Sequence, residues 1–282
     1  MLSYQHAYHV GGPADVIKHA LWAHVLAHLA KKDGALHIHE THSGRGIYDV
    51  SAPETQKTPE YRDGIARLFG AEPTSPYLQA VHALNSTTKK GNLSLIPGSP
   101  AVAAHLLRAE DHLHLIEAHP NEIEHLYTSF PHATRREKNI HVHHADGHKH
   151  ITNLIRGANR NAVLIDPSYE VKTEYQQTID TVAAILKQAP RATVMVWYPL
   201  LSNKKLSQSL IDGLKDLGVP ATYLVHYTWQ TPEFDGMHGT GQIILNLPYK
   251  MEADLPALLK PLAQPLKQKI GQLTTTLLVP RT

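Results

Sequence analysis

Between Gly12 and Lys32 apolar residues recur every fourth position, at Ile17, Leu21, Val25 and Leu29, behind Pro13 and ahead of Lys31, Lys32 and Gly34. That spacing predicts a helix, with proline in its first turn and cations and a glycine at its end. A different pattern follows. Residues 35–41 form a short apolar run, and similar runs occupy 113–117, 139–145, 161–166, 193–197, 222–227, 242–247 and 274–279. These predict eight strands, with helical stretches at 100–110, 174–188 and 204–217 between several of them. Prolines 256, 261 and 265 are expected to break up the helix of the tail. Alternation of this kind predicts an α/β sandwich around a largely parallel sheet. The first interval is too long for one crossover, since about 70 residues separate the first two runs. An insertion accounts for it. Residues 51–97 carry Pro53, Pro59, Pro73 and Pro76 around two apolar helical patches, 61–69 and 77–84. The expected organisation is a Rossmann-like domain of residues 1–50 and 98–282, with residues 51–97 as a small helical insertion subdomain.

Composition narrows the class. The chain has 282 residues, no cysteine, and 27 basic against 25 acidic side chains. It is globular, and thiolate metal sites, disulfides and cysteine nucleophiles are excluded. No run approaches the roughly 20 apolar residues of a membrane span, and the first residues lack the basic end and apolar core of a secretory signal. A cytoplasmic protein is expected. The 22 histidines make the formal charge of +2 conditional on pH. Half-protonation near pH 6.5 would raise it to about +13, which favours a polyanionic partner.

The candidate chemistry lies at the ends of the first four strands, where open α/β sheets bind ligands. Glu40-Thr41-His42-Ser43-Gly44-Arg45-Gly46 turns sharply and lets backbone approach a ligand, or is a plain glycine turn; it lacks the full dinucleotide fingerprint. Glu117 is placed to accept from a ribose diol, or is an exposed strand-end carboxylate. Asp146-Gly147 accepts from an adenine amine, or is a simple Asp-Gly turn. Asp166-Pro167-Ser168-Tyr169 ends a buried run abruptly. It resembles the Asp-Pro-Pro-Tyr motif of adenine amino-methyltransferases. In that chemistry the exocyclic nitrogen is a poor nucleophile because its lone pair is delocalised. A carboxylate and a backbone carbonyl accept its two hydrogens and free the lone pair for a sulfonium methyl, while an aromatic ring stacks on the extruded base.

Taken in order, Met1-Leu2-Ser3-Tyr4-Gln5-His6, His9, Gly11, Ala14-Asp15-Val16-Ile17-Lys18-His19, Thr41 to Gly46, Tyr61 to Gly64, Pro97-Gly98-Ser99-Pro100, Glu117-Ala118-His119-Pro120, Ala145-Asp146-Gly147 and Trp197-Tyr198-Pro199 resemble the RlmJ type of 23S rRNA adenine amino-methyltransferases. The resemblance implies a class I methyltransferase fold with a helical insertion, S-adenosyl-L-methionine as cofactor and 23S rRNA as partner, free or in an assembly intermediate. It places cofactor contacts on His19, His42, Ser99, Glu117, Asp146, Gly147 and Asp166. Asp166 is also the implied catalytic acceptor, Pro167 supplies its carbonyl, Tyr169 the stacking ring, and Tyr4 meets the target adenosine. Lys18 and His6 join the catalytic site through the N-terminal motif, although a lysine there equally suits a solvated charge or a phosphate contact. Two departures stand out. Ser168 replaces the second proline, which loosens the loop, and Gly12-Pro13 replaces an Asn-His pair.

Two rival readings follow from other features. His37, His39 and His42, with His141, His143, His144, Asp146 and His148, suggest a metal-dependent hydrolase, but alternating strand histidines project on one face without converging on an ion. Ser168 suggests a non-catalytic RNA-binding descendant. No metal is expected to be required.

Overall fold

The computed structural model describes residues 5–87, 92–131 and 139–281. The first helix, α1 (Pro13–Leu29), has Gly12 as its N-cap and Pro13 in its first turn. It is apolar on more than one side, and Val16, Ile17, Leu21, Trp22 and Val25 are all fully buried. A helix of that kind belongs in the interior rather than on a surface.

The strands are β1 (Leu36–Glu40), β2 (Ile47–Asp49), β3 (Leu95–Pro97), β4 (His112–Glu117), β5 (Ile140–His144), β6 (Arg160–Ile165), β7 (Thr193–Leu201), β8 (Thr222–Thr228), β9 (Met237–Leu245) and β10 (Gln272–Val279). All but β2 and β3 form one sheet in the order β10-β8-β9-β7-β6-β1-β4-β5. From β5 to β7 the pairings are parallel, whereas β9 runs antiparallel to both β7 and β8, and β10 antiparallel to β8. The antiparallel strand inserted beside β7 makes this the class I methyltransferase topology. The chain leaves β1 for β4 and β5, then returns to place β6 on the other side of β1. That reversal opens a crevice at the carboxyl ends of β1 and β6.

The remaining helices are α2 (Pro53–Lys57), α3 (Pro76–Leu84), α4 (Ser99–Leu106), α5 (Pro120–Ser129), α6 (Gly147–Leu154), α7 (Glu174–Gln188), α8 (Lys205–Asp216) and α9 (Met251–Ala263). Side chains alternate between the sheet faces, as strand geometry requires. Ala162 and Leu164 join α1, α3, α4 and α9 in one core, while Val163 and Ile165 join α6, α7 and α8 in the other. Between β1 and β4, the antiparallel pair β2–β3 brackets α2, two 3₁₀ turns and α3. Tyr61, Ile65, Tyr77 and Val81 of this stretch share the core of α1.

Several local expectations change. Residues 61–69 form two 3₁₀ turns, Glu60–Arg62 and Ile65–Arg67, because Gly64 interrupts them with non-helical backbone. Helices α5 and α6 lie where only strand ends were read; each is short and is nucleated by its cap, His119 or Asp146. Pro256 and Pro261 sit inside α9 without ending it. An interior proline costs about 3 kcal/mol, but Met251, Leu255, Leu259 and Leu262 are buried along the same helix, each contributing roughly 1.5–3 kcal/mol. Both β7 and β9 also extend beyond their apolar runs, paired as far as Leu201 and Met237. Among the described residues no helix is long and apolar enough to cross a membrane.

Candidate active site

A cavity of about 680 Å³ lies over the carboxyl ends of the parallel strands, within the size range of small-molecule sites. His6, Lys18, His19, His42, Ser99, Glu117, Asp146, Gly147, Asp166, Pro167 and Tyr169 all line it. Tyr4 lies outside the described residues. The fold therefore brings every other candidate to one place. The lining also carries Asp15, Glu60, Glu122, Glu170 and Glu174, against Lys18 as its one lysine and no arginine among the described residues. An acidic chamber of this kind suits a cationic ligand.

Two loops are held so closely that only glycine fits. A Cβ on Gly147 would stand 1.9 Å from the carbonyl oxygen of Thr41. Gly44 has φ +59°, a conformation that favours glycine, and its N–H donates to Glu117 Oε2 at 2.7 Å. Glu117 Oε1 accepts from the His119 N–H at 2.8 Å. Burial raises the Glu117 pKa, with these backbone donors opposing the shift. Glu117 is thus a buried, oriented acceptor rather than an exposed carboxylate. Asp146 accepts from Lys149 N and pairs with its Nζ at 3.1 Å, so this carboxylate also caps α6. Its pKa is lowered because the Lys149 interactions outweigh burial.

Lys18 is 3% exposed, which removes the solvated-charge and phosphate-contact readings. Its place in the second turn of α1 turns it toward the strand ends. There Nζ donates to Asp166 Oδ2 at 2.7 Å, pairs with Asp15 Oδ1 at 3.0 Å and lies 5.5 Å above the ring of Trp197. Burial opposes its charge, but the two carboxylates outweigh it and raise the Lys18 pKa. Asp166 is raised chiefly by burial, with Lys18 opposing the shift. Asp15 goes the other way: despite burial, His6, Lys18 and His19 hold it well below the ordinary aspartate value. His6 Nε2 lies 2.8 Å from Asp15 Oδ2. Burial lowers the pKa values of His19 and His42 to about 3, so both are neutral near pH 7.

After β6 the chain passes through Asp166 and Pro167 to Tyr169, whose φ of +56° is unusual for an aromatic residue. Such a residue stores strain of about 1–3 kcal/mol and persists only where its surroundings hold it. Its ring packs 4.3 Å from Tyr175 and 6.2 Å from Trp197, centroid to centroid. Ser99, at the start of α4, donates to Glu40 Oε2 at 2.6 Å. Glu40 also accepts from Trp22 Nε1 at 2.9 Å. Burial pushes Glu40 up to about 7, with the Ser99 and Trp22 hydrogen bonds opposing the shift.

A profile of the family described as ribosomal RNA large subunit methyltransferase D, RlmJ, matches residues 33–279. This chain belongs to the RlmJ family. It is 31% identical over 259 residues to ribosomal RNA large subunit methyltransferase J of Escherichia coli, covering 90% of both chains. The Haemophilus influenzae protein of the same name is 32% identical over 266 residues, with 92% of both chains covered. Among solved structures, protein LPL1258 of Legionella pneumophila superposes with a TM-score of 0.84 at 30% identity, covering 95% of this chain and 97% of its own.

For this RlmJ family member, sequence reasoning assigned no role to Asp15, Glu40 or Trp197. The signal for Asp15 was present: residues three and four apart share a helix face, so Asp15, Lys18 and His19 had to meet. Glu40 and Trp22 are 18 residues apart in the chain and meet only through packing. The strand histidines form a row on one face of β1, β4 and β5, with centroids 4.6 Å apart for His37–His112, 4.9 Å for His39–His114 and 4.7 Å for His114–His141. They stack ring on ring, and among the described residues no three His, Asp or Glu are grouped to hold a metal ion. His42 is elsewhere, edge-on to His148 beside the cavity.

Proposed function

We propose that this chain methylates the exocyclic N6 of a specific adenine in 23S rRNA, with S-adenosyl-L-methionine as donor. The observation that carries the reading is the placement of Asp166 and Pro167 on the wall of an acidic cavity that also contains Glu117 and the Asp146-Gly147 turn. The cavity fits the donor in size and charge. Glu117 suits the ribose diol and the Asp146-Gly147 turn the adenine, with His19, His42 and Ser99 closing the pocket. When bound, the donor supplies a methyl group on a cationic sulfur.

The protein's part is orientation and electrostatics. Asp166 and the Pro167 carbonyl accept the two amine hydrogens, which draws the nitrogen lone pair out of conjugation. Lys18 holds Oδ2 of Asp166, leaving Oδ1 for the amine. Tyr169, locked by Tyr175 and Trp197, offers a rigid wall for the flipped base. His6 lines the cavity and is read as facing the adenosine, and the family resemblance assigns Tyr4 to the same nucleoside. Residues 51–97 are read as an insertion subdomain that supports this motif through the core shared with α1, and the cytoplasm is the expected compartment.

The test is radiolabelled methyl transfer to unmodified 23S rRNA followed by nucleoside analysis, with the wild type and Asp166→Asn. N6-methyladenosine is expected from the wild type. Transfer should fall at least about tenfold in the variant, equivalent to roughly 1.4 kcal/mol of lost transition-state stabilisation. A folded wild type that transfers no methyl group but retains RNA affinity would support the binding-only descendant instead.

A further inference from the structure

Three charged groups meet at one end of the cavity, Lys18 and Asp15 buried and Asp166 partly so. Lys18 is shared between Asp166 and Asp15, at 2.7 and 3.0 Å, and its third direction is taken by the face of Trp197. Asp15 is itself 2% exposed and is fastened at its other oxygen by the Gly11 N–H at 2.9 Å and by His6 Nε2 at 2.8 Å. The other titratable groups around Asp15 are His19, Tyr77, Tyr48 and, farther off, His9. His19 is neutral near pH 7, and burial keeps Tyr48 and Tyr77 protonated. Two carboxylates thus face one ammonium, with the His6 imidazole against the second oxygen of Asp15.

With Asp166 alone, Lys18 would neutralise the acceptor on which the methyl-transfer reading depends. A buried ion pair of net zero charge has little attraction for a cation and a weakened acceptor for an amine. Asp15 changes both. It draws part of the Lys18 interaction away from Asp166 and adds a negative charge that, at 2% exposure, solvent screens weakly.

The geometry points to Asp15 as a positioning residue whose charge, acting through Lys18, makes the site prefer the cationic methyl donor over its neutral demethylated product. This inference rests on the proposed donor. It adds a source of discrimination between donor and product, which differ by a methyl group and one positive charge.

The test compares affinities for S-adenosylmethionine, cationic at sulfur, sinefungin, cationic at an amine in its place, and S-adenosylhomocysteine, which is neutral there, by calorimetry at pH 7.5. In Asp15→Asn both cationic ligands should weaken by about tenfold, whereas S-adenosylhomocysteine should change by less than about threefold. Asp15→Glu, which keeps the charge on a longer arm, should recover most of the preference. A purely structural role would weaken all three ligands alike. Equal losses in a folded Asp15→Asn protein, or an unchanged preference, would overturn the inference. If Asp15→Asn does not fold, Asp166→Asn removes the same unit of charge from the other side of Lys18; an unchanged preference there would overturn it equally. Wild type that binds none of the three ligands would sink the donor reading as well, which separates the two failures.

Discussion

Glu40 is fully buried between Trp22 and Ser99, with no ion pair among the described residues. Replacing it by Gln preserves its shape. The amide oxygen still accepts from Trp22, and the amide nitrogen donates to the Ser99 hydroxyl in place of accepting from it. What disappears is the ionisable proton. The pKa of Glu40 rises from the ordinary 4.5 to about 7, so the folded protein holds the proton more tightly than the unfolded chain does. Such a group contributes no penalty below pH 4.5. Stability is lost as pH rises through the interval to 7, by about 1.4 kcal/mol per pH unit, and the loss is constant above it. Across the shift, from 4.5 to about 7, the total is roughly 3 kcal/mol, with no reduction for solvent screening because the carboxyl is buried. The Gln variant should therefore match the wild type near pH 4 and exceed it by roughly 3 kcal/mol at pH 8. Urea unfolding of both proteins across this range measures the difference. Histidines such as His19 and His42 titrate in both proteins and cancel. A difference that is flat with pH, or that favours the wild type at pH 8, would refute the assignment of a raised Glu40 pKa.

Two further outcomes follow from contacts already described. Gly64→Ala would place a Cβ 1.9 Å from the Gly11 carbonyl oxygen; overpacking of this kind costs about 1–3 kcal/mol or more, so the melting temperature should drop and cofactor affinity should fall with it, because Gly11 also anchors Asp15. Glu117→Gln should weaken S-adenosylmethionine binding by about tenfold while leaving RNA affinity within about twofold, and equal losses of both would argue against a ribose contact.

Periodicity alone determined much of this protein. A four-residue apolar recurrence can bury its stripe only as a helix, and short apolar runs between turn residues can bury theirs only as strands, so α1 and all eight strands of the main sheet were legible before any coordinate. The long first interval was likewise too long for one crossover helix, which is why an insertion is expected there. Strand ends in an α/β sheet converge on one edge, which made Glu117, Asp146 and Asp166 visible as candidates from their positions in the chain.

Tertiary structure decided what those candidates are. No local pattern says whether Lys18 meets water or two carboxylates; that depends on the register of α1 against β6, which brings Lys18 to Asp166 across 148 positions. The same packing buries Glu40 and Glu117 and thereby sets their protonation, because desolvation is a property of the assembled fold and not of a residue type. It also kept α9 continuous through two prolines and broke residues 61–69 at Gly64, where the Gly11 backbone passes too close for a side chain. Hydrophobic pattern is carried by neighbours in sequence, whereas charge state and close approach are set by neighbours in space.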